Sequence, residues 1–434
     1  MMSSNNNSLS NNSDSMSDSA SESSEYADCN IGNELVGEIV GNRYILLHKI
    51  GSGAFASVWF AYYINDPSKK FYYAIKVQLP EDYSSGLDEI SFLTKIKSKN
   101  NDKLSYLYER FEYHNNSDDD PMICMVFDLL ACSSYQLIRR GKYSDGLPEN
   151  TVLDITKQLL EGLKDIHEMN IIHTDIKPEN LLIKGLHENT IKWINEYDKI
   201  NISQIYNEIL AKEKNESKIS LKNEKNLKRI KDKSRQLLKE IMLKNINQIG
   251  SLTTGENISS FEIIADNNID NIEIVISDYG TAYKNNEVEL GLEIQTRYYR
   301  APEIILGCYC DNKCDIWSIG CTIYELFTGE ILFDPSKDSK FDRDVHHIYW
   351  IIEIIDDIPL WMIKKTYDKN KFFDKNNKLK VKSPDPWRIR DILQEKEKDL
   401  NNPNIIKLLN IIQKCLIIDP KIRPSASQLL NEFF

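Results

Sequence analysis

No run of apolar residues in this sequence is long enough to cross a bilayer as a helix, which excludes a helical integral membrane protein among the expected classes. The N-terminus has neither a basic n-region nor an apolar h-region, so no secretory signal is expected. The eight cysteines in 434 residues follow no regular spacing, which fits reduced thiols in an intracellular protein, cytoplasmic or nuclear, better than a disulfide framework. Cys308, Cys310 and Cys314 come close together, but a fourth ligand or a second CxxC is missing, and zinc is not expected. Bases are missing at one end: residues 1–42 hold seven acids and no Lys or Arg, so of a net charge of −12 only −5 belongs to the rest of the chain.

What is present is ample apolar material, 41% of residues, enough for a large core in more than one lobe. Residues 1–25 stand apart: Ser, Asn, Asp and Glu with scarcely an apolar side chain cannot offset the entropy of ordering, and a disordered tail is expected. Its Ser-Asp alternation suits either a solvating tail or a substrate of acid-directed kinases. From Arg43 the pattern turns to strands at Tyr44–Leu47, Trp59–Tyr63 and Phe71–Val77. Between the first two lies Ile50-Gly51-Ser52-Gly53-Ala54-Phe55-Ala56-Ser57-Val58, a hairpin whose glycines let backbone N–H groups approach a polyphosphate. No helix follows it, so a dinucleotide fold is not indicated.

On the third strand Lys76 lies within Ala74-Ile-Lys, and a lysine among apolar neighbours needs a counter-charge. Glu89 is the candidate, in a helical stretch from Gly86 with Leu87, Ile90, Leu93 and Ile96 at helical spacing; Asp88 would point to another face. Met122–Leu130 reads as a buried strand running out into a polar turn. A helix after Pro148, with Val152, Ile155, Leu159, Leu160, Leu163 and Ile166 on one face, leads to His173-Thr-Asp175-Ile-Lys177-Pro-Glu-Asn180. Residues 185–270 then break the pattern. They are rich in Lys, Asn and Glu, with an apolar stripe from Leu227 through Ile230, Ser234, Leu237 and Leu238 to Ile241, and a flexible insertion with one or two loosely docked helices is expected. A strand resumes at Ile274 and feeds Asp278-Tyr279-Gly280, and the segment from Cys314 to Gly320 opens a helix apolar on nearly every side.

These motifs, in this order over residues 44–424, resemble the eukaryotic-type protein kinases. The resemblance implies an α+β bilobal fold: a small β-rich N-lobe in 26–130, a larger helical C-lobe begun in 131–184 and completed in 271–434, and the insertion between. It implies ATP and Mg²⁺ as cofactors. Asp175 and Lys177 take the catalytic positions, and Asn180 and Asp278 the metal positions. Residues 50–58, Ala74, Lys76, Glu89 and the hinge residues Asp128 and Leu130 take the nucleotide positions. Glu303 takes the place of a buried acid whose usual partner in the family corresponds to Arg423.

Thr296-Arg-Tyr-Tyr-Arg300-Ala-Pro-Glu303 looks like the group that includes cyclin-dependent and mitogen-activated kinases. Ile123-Cys-Met-Val-Phe127, the His-Thr-Asp of the loop and the large insertion are similar to the SR-protein kinases, which phosphorylate serines in Arg/Ser-dipeptide segments. The LAMMER-type kinases share His-Thr-Asp, but their namesake sequence is absent. In the late segment Glu353 matches one acid of the SR-kinase docking groove, and His346 stands where another is found. The resemblance thus implies a monomeric Ser/Thr kinase acting on protein substrates that include Arg/Ser-rich ones, with no membrane and no direct nucleic-acid partner. A kinase of other substrate preference, or a partner-binding pseudokinase, is the alternative. Thr174 replaces the arginine that in most kinases pairs with an activation-loop phosphate, so constitutive activity is expected.

Overall fold

The computed structural model describes residues 33–434 apart from 54, 66–71, 115–119, 140–141, 218–223, 255–268, 286, 336–341 and 382–383. The acidic tail, Ala54 and Phe71 lie outside the described residues.

Strands β1 (Ile39–Val40), β2 (Tyr44–Ser52), β3 (Ala56–Tyr63), β4 (Tyr72–Gln78), β5 (Glu109–Tyr113) and β6 (Met122–Phe127) form one antiparallel sheet in the order β1-β2-β3-β4-β6-β5. Alternation assigns its faces. Trp59, Ala61, Ile75, Val77, Cys124 and Val126 point one way, into a cluster closed by Leu35 and Val40 of the lead-in. Phe60, Tyr62, Tyr72 and Ala74 point the other way. Helix α1 (Tyr83–Ile96) packs across β6 on that second side, burying Ile90, Leu93 and Ile96. It starts three residues earlier than its apolar spacing suggested, and Leu87 is exposed because its direction around the helix faces solvent.

The second lobe is mostly helical. After β7 (Cys132–Ser133) and α2 (Ser134–Arg139) comes α3 (Glu149–Glu168), whose whole expected apolar face is buried, followed by β8 (Ile171–Ile172) and β9 (Leu181–Ile183). Here β10 (Ile274–Ile276) pairs with β9, and β11 (Tyr283–Lys284) with β8. Helices α7 (Pro302–Ile305), α8 (Lys313–Thr328), α9 (Arg343–Ile354), α10 (Leu360–Lys365), α11 (Lys369–Phe372), α12 (Ile389–Glu395), α13 (Pro403–Cys415) and α14 (Ala426–Phe433) complete it. Every residue of α8 from Cys314 to Thr328 is buried, as a helix apolar all round must be.

The insertion differs from expectation. Among its described residues it forms three helices rather than one or two, α4 (Glu188–Ile200), α5 (Ile202–Glu216) and α6 (Glu224–Thr254), and they are tightly docked. Tyr197, Ile202, Tyr206, Leu238, Met242, Ile246 and Ile249 share one core with Ile45, Leu47, Phe60, Tyr62 and Tyr72 of the sheet. The buried row on α6 steps by about one turn, Ile230, Ser234, Leu238, Met242 and Ile246, which leaves Ile241 on the outside. Hydroxyls fix the register: Tyr72 Oη donates to Asp198 Oδ1 (2.7 Å), and Tyr62 Oη lies 2.9 Å from Ser203 Oγ.

Candidate active site

Lys76 leaves the same sheet face as Tyr72 and Ala74, in register with Val58 of β3 and Met125 of β6. Its Nζ donates to Glu89 Oε1 (2.9 Å) and Oε2 (2.8 Å) and to Asp278 Oδ1 (2.9 Å). Burial would lower the lysine pKa, but the two carboxylates outweigh it and hold the ammonium above its ordinary range, while Lys76 holds Asp278 below the usual carboxylate range. Glu89 is 2% exposed on α1, and Asp88 beside it faces solvent. Asp278 follows β10 in a left-handed conformation, φ 66°, which turns its carboxylate back toward the sheet. Glu89 and Asp278, the latter 202 positions from Lys76 in sequence, are thus joined by one ammonium.

The hairpin between β2 and β3 pairs Gly51 with Val58 and Ser52 with Ser57, and the Gly53 N–H donates to Ala56 O (2.9 Å). Ile50 and Phe55 are exposed, Ala56 and Ser57 buried. Because Val58 pairs with Lys76, the hairpin overhangs the lysine. Ala74 pairs with Phe127 at the end of β6, where the chain passes to the second lobe. There Asp128 accepts from Tyr108 Oη (2.8 Å), Leu129 is buried toward the insertion, and Leu130 is half-buried.

Below the sheet, Lys177 Nζ lies 2.8 Å from Asp175 Oδ2, and Asn180 Nδ2 donates to Asp175 O (2.8 Å) and Oδ2 (3.0 Å). That commits the amide nitrogen and leaves the Asn180 side-chain oxygen, Oδ1, as the side chain's acceptor. Although burial opposes it, Asp175 holds the Lys177 ammonium above its ordinary range. Ser277, just before Asp278, donates through N (2.9 Å) and Oγ (3.0 Å) to Asn180 O, tying the two metal-position residues together.

Two residues of this site were not legible as site residues. Thr296 Oγ1 donates to Asp175 Oδ1 (2.6 Å) and accepts from Lys177 Nζ (2.9 Å). Asp315, fully buried in the first turn of α8, accepts from the His173 N–H (2.9 Å) and the Thr174 N–H (2.8 Å) and meets His167 Nε2 at 2.9 Å. The one sequence signal for Asp315 is an acid in the first turn of a helix apolar on nearly every side.

The pattern of the protein kinase domain matches residues 44–195 and 262–434, most of the chain on either side of the insertion. This chain belongs to the protein kinase family. It is 30% identical to a putative serine/threonine-protein kinase, L205, of Acanthamoeba polyphaga mimivirus over 91% of this chain and 87% of that one. It is 28% identical to the serine/threonine-protein kinase SRPK of Physarum polycephalum (91% and 86% covered) and 26% identical to the protein kinase dsk1 of Schizosaccharomyces pombe (90% and 80%). The likeness seen in the motifs agrees with the match to the SRPK kinase, and the protein is a serine/threonine kinase related to these enzymes.

In this kinase the C-lobe anchor is in place: Arg423 donates from Nη1 (2.6 Å) and Nη2 (3.0 Å) to the two oxygens of Glu303, both side chains wholly buried. Arg423 also donates to three backbone carbonyls, so its remaining N–H groups are satisfied. The activation segment, between Gly280 and Ala301, is joined to α9 and α11 through Arg297 and Lys371, which both bond Asp344. In α9, Trp350 Nε1 donates to His346 Nε2 (2.9 Å). No described helix is long and apolar enough to cross a membrane.

Proposed function

We propose that the protein transfers the γ-phosphoryl group of ATP to a serine or threonine hydroxyl of protein substrates with basic residues near the acceptor, without needing a phosphate on its activation segment. The observation that carries the reading is the joined set of charges: Lys76 on Glu89 and Asp278 above, Asp175 on Lys177, Thr296 and Asn180 below. In this reading the acceptor oxygen bonds to the γ-phosphorus, the bond to the bridging oxygen breaks, ADP leaves, and the hydroxyl proton passes to Asp175. Lys177 balances charge on the moving phosphoryl group. Lys76 grips the α- and β-phosphates under the 50–58 hairpin, with Ala74, Asp128 and Leu130 around the base. Asn180 and Asp278 offer the hard oxygen donors that suit Mg²⁺, which when bound neutralises charge on the phosphates. Positioning and charge stabilisation supply most of the rate, since little covalent chemistry falls to the protein.

The basic-substrate preference is supported by a buried carboxylate oxygen without a hydrogen-bond partner. Glu179 Oε2 is buried and has no hydrogen-bond partner among the described residues, and burial pushes its pKa up. Of the cations whose charge reaches it, Lys177 is bonded to Asp175 (2.8 Å) and Arg139 to Glu325 (2.8 Å). A substrate guanidinium beside the acceptor would satisfy that oxygen. Farther out, burial raises the Glu353 pKa, with His346 opposing and Asp385 adding to it, and the half-exposed Trp387 donates its backbone N–H to Glu353 O (2.9 Å). Such a pairing of acids with an aromatic ring suits arginine.

The test is incubation with Mg²⁺-ATP and, in parallel, an Arg/Ser-repeat peptide, casein and myelin basic protein. Transfer to the Arg/Ser peptide, lost in Asp175→Ala, is expected. No transfer to any of the three, with wild type matching Asp175→Ala, would overturn the activity; equal use of casein would overturn only the substrate preference.

A further inference from the structure

Two hydroxyls hold successive carbonyls just after Asp278. Ser85, on the first turn of α1, donates through Oγ to Gly280 O (3.2 Å). Thr174, from the catalytic loop, donates through Oγ1 to Thr281 O (2.6 Å), and its oxygen also lies 3.2 Å from Thr281 Oγ1. One donor therefore comes from each lobe, and the peptide they grip is continuous with the acid that bonds Lys76.

The conformation around Thr174 is not one that threonine adopts for local reasons. Its φ is +67°, in the left-handed region where a β-branched side chain is a rare exception. The cost is offset from outside, by the bonds of the His173 and Thr174 N–H groups to Asp315 and by the Thr174 hydroxyl bond. At zero exposure, no water competes for that hydroxyl. The neighbouring contacts reinforce the same peptide: the His173 ring packs on Tyr279 with centroids 5.0 Å apart, and β11 pairs with β8 directly after it. On the other side Gly280 faces the acids, since a Cβ there would stand in ordinary contact, 3.6 Å, with both Asp278 Oδ1 and Glu89 Oε2.

We propose that Ser85 and Thr174 are positioning residues that clamp the backbone of residues 280 and 281 from the two lobes, so that Asp278 and, through Lys76 and Glu89, helix α1 are held in the competent arrangement by neutral hydrogen bonds instead of a phosphate. The proposal rests on the phosphotransferase reading above. It assigns to Thr174 a positive role, as donor to Thr281 O, beyond the mere absence of an arginine. It also brings in Ser85, a residue on another element that nothing in the motifs singles out. Neither side chain touches substrate; both act through the backbone that carries Asp278.

The test uses the full chain. Thr174→Val keeps the β-branched shape and the backbone cost while removing the donor, Thr174→Ser keeps the donor, and Ser85→Ala removes the other one. Thr174→Val is expected to lower kcat about tenfold with KM for ATP changed less than about threefold, Ser85→Ala about threefold, and Thr174→Ser to restore at least half of wild-type kcat. Amide hydrogen exchange over residues 279–285 should accelerate in Thr174→Val and in Ser85→Ala and return in Thr174→Ser. Wild-type exchange at 279–285 in both donor-removing variants overturns the clamp, as does wild-type kcat in both. If the wild type itself transfers no phosphate, the activity reading fails while the exchange comparison still decides the clamp. If Thr174→Val unfolds, Ser85→Ala and Thr174→Ser carry the same comparison.

Discussion

One face of the β2-β3-β4 sheet is used in two ways within four residues. At Tyr72 it is closed by α4 and α6 into an aromatic core, and at Lys76 it opens over Glu89, Asp278 and the catalytic loop. The closed part is held by apolar area and a few hydroxyl bonds. The open part is held by charges that face one another at 2.8–2.9 Å. Breaking the closed part should therefore cost stability with little effect on turnover, and breaking the open part should cost turnover with little effect on stability.

The largest effect falls on the open part. Asp175→Ala should lower kcat by about a thousandfold or more while KM for ATP and the melting temperature stay near wild type, as measured by steady-state kinetics and calorimetry. In the closed part, Leu238→Ala should destabilise by about 2–5 kcal/mol in denaturant unfolding, with kcat of the folded fraction unchanged, since Leu238 is wholly buried against the sheet. An equal loss of kcat there would erase the contrast between the two parts.

His48 lies in the closed part, stacked on Trp193 at 4.3 Å and 2.8 Å from Tyr197 Oη, and burial pushes its pKa down to about 4. The folded state keeps it neutral where the unfolded chain takes up a proton. Its contribution is complete above the ordinary histidine range and falls away as pH drops toward 4. His48→Gln should flatten that slope, which is worth up to about 3 kcal/mol, in urea unfolding measured between pH 7 and 4. Glu179→Gln returns to the open part: KM for an Arg/Ser peptide should rise about tenfold, with KM for ATP unchanged. The smallest expected effect is none: phosphatase treatment should leave most of the activity, and losing it would overturn constitutive activity.

The two parts were unequally legible. Lys76, Glu89, Asp175, Asn180 and Asp278 could be read because each sits in a short motif whose neighbours fix its local geometry: a strand for Lys76, a helix turn for Glu89, a strand end for Asp278. Thr296, Asp315 and Ser85 could not be read as partners, because what makes them matter is an atom 195 residues away for Ser85 and more than a hundred for the others. The insertion was misjudged for a related reason. Its helices show a narrow apolar row on a heavily charged background, and nothing local says that Phe60, Tyr62 and Tyr72 supply the other half of that core.

The sequence by itself determined the kinase motifs and their order, the β-rich first lobe, the buried pillar of α8 and the identity of the charged groups in the cleft, because periodicity and residue chemistry act over a few residues. Only the tertiary structure decided which sheet face the insertion covers, that Thr296 bridges Asp175 and Lys177, and that Ser85 and Thr174 hold successive carbonyls from opposite lobes. Those depend on distances between segments far apart in the chain, set by how the packed elements dispose their surfaces and not by any residue's own preference.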